Sequence, residues 1–144
     1  MHSHLIPGID DGSPDMATSL KLISGLVDLG YKKIYTTPHI MGDMYPNTRD
    51  DILKRLLELR EAVNEKGLDM EVHAAAEYFI DENFRELLEE KKQLLTIHKT
   101  MVLVEFSLAN PPMELKEVLF EMQLQGYQPI IAHPERYLYL EHTR

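Results

Sequence analysis

Cysteine is absent from the 144 residues. That excludes disulfides and any metal site built on thiolates, and it suits a reducing cytoplasm, where the chain is expected to act. Long apolar runs are absent too. None approaches the roughly 20 residues that a membrane-spanning helix needs, so no membrane insertion is expected. No basic-then-apolar leader pattern opens the chain. No linker, low-complexity tract or fixed-period repeat divides it, so residues 1–144 read as one domain. Positive charge is scarce: 15 Lys and Arg stand against 24 Asp and Glu, a formal net charge of −9. This disfavours nucleic acid and anionic membranes as partners. So acidic a chain takes an anionic substrate only where metal ions or a placed arginine supply local positive charge.

What is present alternates β-rich runs with amphipathic helical ones. Ser13-Pro14-Asp15 predicts a helix start, with Ser13 as cap and Pro14 in the first helical position. Leu20, Ile23 and Val27 keep helical spacing until Gly30. A strand over 33–37 leads to Pro38-His39. A second helix, from Asn47 or Thr48, buries Ile52, Leu56, Leu59 and Val63 and closes at Gly67. A strand over 70–76 runs into Glu77, and a charged helix spans 83–92. Residues 101–104 form a nearly continuous apolar strand ending at Glu105. A fourth helix over about 113–125 turns Leu115, Val118, Leu119 and Met122 inward, and a strand over 129–132 leads to His133. Alternation of this kind implies βαβ units and a parallel α/β sheet. An open doubly wound sheet and a barrel both satisfy the pattern.

Each strand candidate ends at a plausible metal ligand: His2 and His4, then His39, Glu77, Glu105 and His133. In α/β barrels the active site lies at the C-terminal strand ends, so the placement is coherent. His2-x-His4 has the period-two spacing that points two side chains the same way, although two surface histidines would look the same. Asp10-Asp11-Gly12 is either part of the site or a plain turn. Glu105 sits between Val104 and Phe106, where a carboxylate is costly to bury without a partner. Imidazole and carboxylate without thiolate suit Zn²⁺, Mn²⁺ or Fe²⁺, and the number of donors favours more than one ion. Arg136, three residues beyond His133, suits a phosphate clamp or a surface salt bridge equally well from position alone.

Five segments, in order, carry a resemblance: His2-Ser3-His4-Leu5-Ile6-Pro7-Gly8-Ile9-Asp10-Asp11-Gly12, Thr36-Thr37-Pro38-His39, Ala76-Glu77, Val104-Glu105-Phe106-Ser107 and Ala132-His133-Pro134-Glu135-Arg136-Tyr137. They resemble the PHP (polymerase and histidinol phosphatase) superfamily. Within it they are most similar to the bacterial tyrosine-protein phosphatases of capsule and exopolysaccharide biosynthesis. The resemblance implies a distorted (βα)₇ barrel and a cluster of up to three divalent ions (Mn, Fe or Zn). It implies His2, His4, Asp11, His39, Glu77, Glu105 and His133 as ligands, with Glu77 as a bridge. Arg136 matches a phosphate-contacting arginine, and with His39 and Glu105 it makes up the candidate catalytic set. Metal-activated water would replace a cysteine nucleophile. The implied substrate is phosphotyrosine on the tail of a bacterial tyrosine kinase. The alternatives are a small phosphate ester such as histidinol phosphate, or a metal-binding remnant without catalysis.

The family's closing Asp/His motif has no counterpart before Arg144. Seven units need about 210 residues at the roughly 30 per unit of such barrels, so the chain is expected to supply about the first five. Open sheet edges would then favour self-association into a homo-oligomer. His73, His98 and His142 match no motif and read as structural or surface residues. The loop over 40–46, with Tyr45, is placed to border a substrate entrance.

Overall fold

The computed structural model describes residues 2–107 and 115–134. In chain order the elements are β1 (His2–Ser3), α1 (Met16–Asp28), β2 (Lys33–Thr36), β3 (His39–Ile40), α2 (Arg49–Glu65), β4 (Glu71–Ala74), β5 (Glu77–Phe79), α3 (Glu82–Glu89), β6 (Met101–Glu105), α4 (Leu115–Leu124) and β7 (Gln128–Ile131). The strands pair in the orders β1-β2-β4 and β3-β5-β6-β7, and every pairing between them is parallel. The molecule is therefore a mixed α/β fold with parallel sheets, in which no helix among the described residues is long and apolar enough to cross a membrane.

The sequence predicts single strands over 33–37 and 70–76, each ending at a ligand. The structure corrects this, because each strand breaks and then resumes. Pro38 has no N–H to continue a ladder, and β2 stops at Thr36 before β3 begins at His39. Its partner breaks at Ala75-Ala76 in the same way. Hydrogen bonds bridge both gaps: Ala75 N–H donates to the Thr36 carbonyl and Glu77 N–H to that of Pro38, each at 2.9 Å. The β2–β4 pairing therefore continues into the β3–β5 pairing. His39 and Glu77 do not sit past strand ends but open the second segments, in register with each other.

Helix boundaries follow side-chain chemistry. Asp15, not the predicted Ser13, caps α1, its carboxylate accepting the Thr18 N–H at 2.7 Å. Ser13 is buried instead, 2.6 Å from the Ser19 hydroxyl, which itself donates to the Leu5 carbonyl at 2.6 Å. That link ties α1 to the segment behind β1. Helix α2 starts as predicted, with Thr48 and Asp51 forming a reciprocal capping box. It buries Ile52, Leu56, Leu59 and Val63, each contributing about 1.5–3 kcal/mol relative to exposure. Helix α3 begins one residue earlier than predicted because Asp81 caps it, and it ends at Glu89. Lys91 there has φ 54°, which no helix continues through. In α4, Val118 and Met122 are buried, with Leu115 and Leu119 packed against the core. Ile34, Val72, Tyr78, Val102 and Val104 fill the space between sheet and helices.

Candidate metal centre

β1 has only two residues, so His4 just beyond it needs other restraints, and Thr36 and Thr37 provide them. The Thr36 hydroxyl accepts the Leu5 N–H at 2.9 Å, while the Thr37 N–H and hydroxyl both donate to the Ser3 carbonyl, at 2.6 and 3.2 Å. Both threonines are fully buried, which fixes these bonds in a dry setting. The His4 backbone is thereby held on both sides.

Glu77 is the centre of the arrangement. Its side chain is fully buried, yet three imidazoles surround the carboxylate. His4 Nε2 lies 3.1 Å from Oε2, His39 Nδ1 3.4 Å from Oε2, and His133 Nε2 3.3 Å from Oε1. The His4 and His39 rings stack at 4.6 Å between centroids. The Glu105 carboxyl reaches the same place from β6. Burial, then the hydrogen bond with Glu77 and the repulsion of its charge, push Glu105 up to about 8. Two carboxyls this close keep a proton between them unless a cation intervenes. His133 stands just after β7 with φ 49°, a left-handed backbone that costs free energy in a non-glycine residue.

Asp10 organises the approach. Its buried carboxylate takes His4 Nδ1 at 2.9 Å and the His39 backbone N–H at 3.0 Å on Oδ2, and the Gly12 N–H at 2.9 Å on Oδ1. Burial alone would raise its pKa, but these three partners outweigh it and hold the carboxyl below the usual range. An ionised carboxylate only accepts, so His4 Nδ1 must carry the hydrogen and Nε2 is the nitrogen turned toward Glu77. For His4, burial disfavours the imidazolium, but the bonds to Asp10 and Glu77 prevail and raise it to about 9. Asp11 is mostly exposed, its Oδ1 3.4 Å from His39 Nε2 at the rim.

His4, Asp11, His39, Glu105 and His133 line one cleft of about 500 Å³, joined by Met41, Met44 and Tyr45. Glu77 forms the buried base beneath them. Of the predicted ligands, His4, Asp11, His39, Glu77, Glu105 and His133 thus come together. The His2 side chain and Arg136 lie outside the described residues, as does His142. His73 is apart from this site, paired with Glu71 at 3.1 Å and stacked on Tyr35, and His98 is exposed in the turn before β6. Sequence reasoning gave no firm role to Asp10. Its only signal was adjacency to Asp11 and Gly12, which a plain turn shares.

The donor set fits a divalent cation. Ligand atoms of His39, Glu77 and Glu105 lie within 4.8 Å of one another, as do those of His4, Asp10 and His39. His39 Nδ1 is buried and, beyond its 3.4 Å approach to Glu77 Oε2, makes no hydrogen bond among the described residues. The Asp10–His4 pair has the form of a carboxylate orienting a metal-binding imidazole.

Fold and site together define a parallel α/β protein whose strand segments gather histidines and carboxylates into one cluster with a donor set suited to a metal ion. The chain belongs to the family described as capsular polysaccharide synthesis, CpsB/CapC, whose model matches residues 1–144. It is 31% identical over 137 residues to tyrosine-protein phosphatase YwqE of Bacillus subtilis (strain 168), covering 94% of this chain and 54% of that protein. It is 29% identical over 144 residues to tyrosine-protein phosphatase CpsB of Streptococcus pneumoniae, covering 99% and 59%. A solved structure from work on YwqE and CpsB, described there as unique metal-dependent tyrosine phosphatases, matches with a TM-score of 0.86 at 29% identity, over 98% of this chain and 57% of that one. The chain thus spans little more than half the length of the relatives it matches.

Proposed function

We propose that this chain carries the metal centre of a phosphomonoesterase that acts on phosphotyrosine in proteins, in the regulation of capsule or exopolysaccharide synthesis. The observation that carries the proposal is the buried Glu77 carboxylate ringed by His4, His39 and His133 at the base of an open cleft. So many titratable groups around one buried acid are expensive for a merely structural role.

In this reading His2, His4, Asp11, His39, Glu77, Glu105 and His133 would hold up to three divalent ions, Mn, Fe or Zn, with Glu77 central among them. Such ions would supply the positive charge that a chain of net charge −9 needs to receive a phosphate, and would lower the pKa of bound water. Asp10 keeps His4 in the tautomer that turns Nε2 inward. His39 and Glu105, which line the cleft, are proposed as catalytic residues. Arg136 is the proposed clamp on the non-bridging oxygens of the phosphate. The five successive strand positions from β1 to β7 are read as part of a distorted (βα)₇ barrel, with residues 1–144 as one incomplete metallophosphatase domain. Cytoplasmic location, a tyrosine-kinase tail as substrate and homo-oligomer formation belong to the same reading.

The test is hydrolysis of p-nitrophenyl phosphate with added Mn²⁺, compared with chelator-treated protein and with a His133→Ala variant. Metal-dependent turnover that disappears in the variant is expected. Folded, metal-bound protein that turns over nothing would reject catalysis by this chain. A phosphotyrosine peptide set against histidinol phosphate then separates the protein substrate from the small one.

A further inference from the structure

The segment between β3 and α2 reverses the chain in a tight turn whose tip faces the cleft. Met41 and Tyr45 exchange both backbone hydrogen bonds, each at 2.9 Å. Three further bonds anchor the turn to neighbouring elements. Gly42 N–H donates to Asp81 Oδ2 at 2.9 Å, while the other oxygen of that carboxylate caps α3 through the Phe84 N–H. The Asn47 amide donates to the carbonyls of His39 and Ile9, both at 2.9 Å. The turn is therefore built in advance of any ligand.

Its side chains do not resemble those of the rest of the site. Tyr45 is half-buried and stacks on His39, centroids 5.5 Å apart and planes 18° from parallel. Met44 is 65% exposed, although it is a large apolar side chain. With Met41 they line the same cleft as His4, Asp11, His39, Glu105 and His133. No Lys or Arg lines that cleft among the described residues. One cleft thus combines histidines and carboxylates with an aromatic ring and two thioethers.

We infer that Tyr45, Met44 and Met41 form a shelf for the ring of an aryl phosphate and so determine specificity for aromatic over aliphatic phosphate esters. The inference rests on the phosphatase reading above and deepens it. A flat ring on the shelf finds an offset-stacking partner in Tyr45 and polarisable sulfur in the methionines. An alkyl ester of the same charge reaches the histidines and carboxylates equally well but leaves the shelf to water.

Binding separates the shelf from turnover. Calorimetric titration of the Mn²⁺-loaded protein with phenylphosphonate and with methylphosphonate is expected to show the phenyl compound binding about three- to tenfold tighter. Tyr45→Phe should keep that ratio, whereas Tyr45→Ala and Met44→Ala should each narrow it. Met44→Ala is the cleaner variant, because no His39 stacking is lost with it. A ratio near one in the parent protein, or one unchanged by both alanine variants, overturns the shelf. In that case metal-dependent hydrolysis of p-nitrophenyl phosphate would still uphold the phosphatase reading. Failure of both phosphonates to bind overturns the two together.

Discussion

Gly12 lies directly against His4: a β-carbon built on it would collide with the His4 carbonyl oxygen and come within 2.5 Å of the His4 Cβ. That same carbonyl accepts the Ser13 N–H at 3.1 Å, so the segment cannot back away without giving up the bond. Gly12→Ala is expected to move the His4 imidazole away from Glu77. Stability should fall by about 1–3 kcal/mol, the usual cost of forcing atoms into a packed site, and Mn²⁺ should bind more weakly. Thermal melts and calorimetric titration check both. A variant that melts and binds like the parent would sink the idea.

Proton linkage gives the metal-free and metal-loaded chains opposite responses to pH. Without metal, His4 is raised to about 9 and Glu105 to about 8, so the folded chain binds more protons than the unfolded one. The His4 contribution is fully present below about pH 6.5 and is lost as pH rises through 9. The raised Glu105 carboxyl lowers stability progressively from about pH 4.5, where it ionises in the unfolded chain, until the cost is complete near pH 8. Metal binding needs both groups deprotonated, so the ion must expel those protons, and its apparent affinity should climb with pH. Melting temperatures between pH 6.5 and 9 should therefore fall in chelator, while the gain on adding Mn²⁺ grows. A chelated chain that grows more stable toward pH 9 would contradict this.

The sequence and the structure agree best where a single element decides the outcome. The buried stripe of α2 follows from helical spacing, and its start from Thr48 and Asp51, because both depend only on residues three or four apart. The strand breaks were not readable in that way. Pro38 hints at one, but the matching break at Ala75-Ala76, which lies beside it in register, has no such local signal. At the site, residue type and order pointed to His4, His39, Glu77, Glu105 and His133. Sequence could not assign roles to Asp10 and Asp11, since adjacent carboxylates look alike until the turn aims one inward. Nor could it place Tyr45 against His39, which depends on Asp81 and Asn47 anchoring the turn from 39 residues away and from next to α2.

Tyr78 sits beside Glu77 on β5, so its side chain points to the opposite face of the strand. Its buried hydroxyl accepts the Leu95 N–H at 2.7 Å, and burial pushes the phenol up to about 12. Tyr78→Phe keeps the ring but leaves that N–H without an acceptor in a dry interior. The expected loss is about 1–3 kcal/mol, read as a lower urea midpoint, with Mn²⁺ affinity unchanged. An unaltered midpoint would mean that water or another oxygen satisfies Leu95.

Asp10 and Asp11 can be told apart by where their substitution is felt. Asp10 makes three hydrogen bonds that join His4, Gly12 and His39, all of them present without metal. In Asp10→Asn either orientation of the amide sets an N–H group against another donor. The metal-free protein should therefore melt lower, and metal affinity should drop by the roughly 10- to 100-fold typical of lost orienting groups. Asp11 is 65% exposed and lies 3.4 Å from Nε2 at the outer edge of His39, so Asp11→Asn should leave the chelated protein's melting temperature where it was. If Asp11 is the ligand, its substitution weakens metal binding alone. Full metal affinity in Asp11→Asn, beside a deficit in Asp10→Asn, would transfer the ligand role to Asp10 and leave Asp11 as a rim residue.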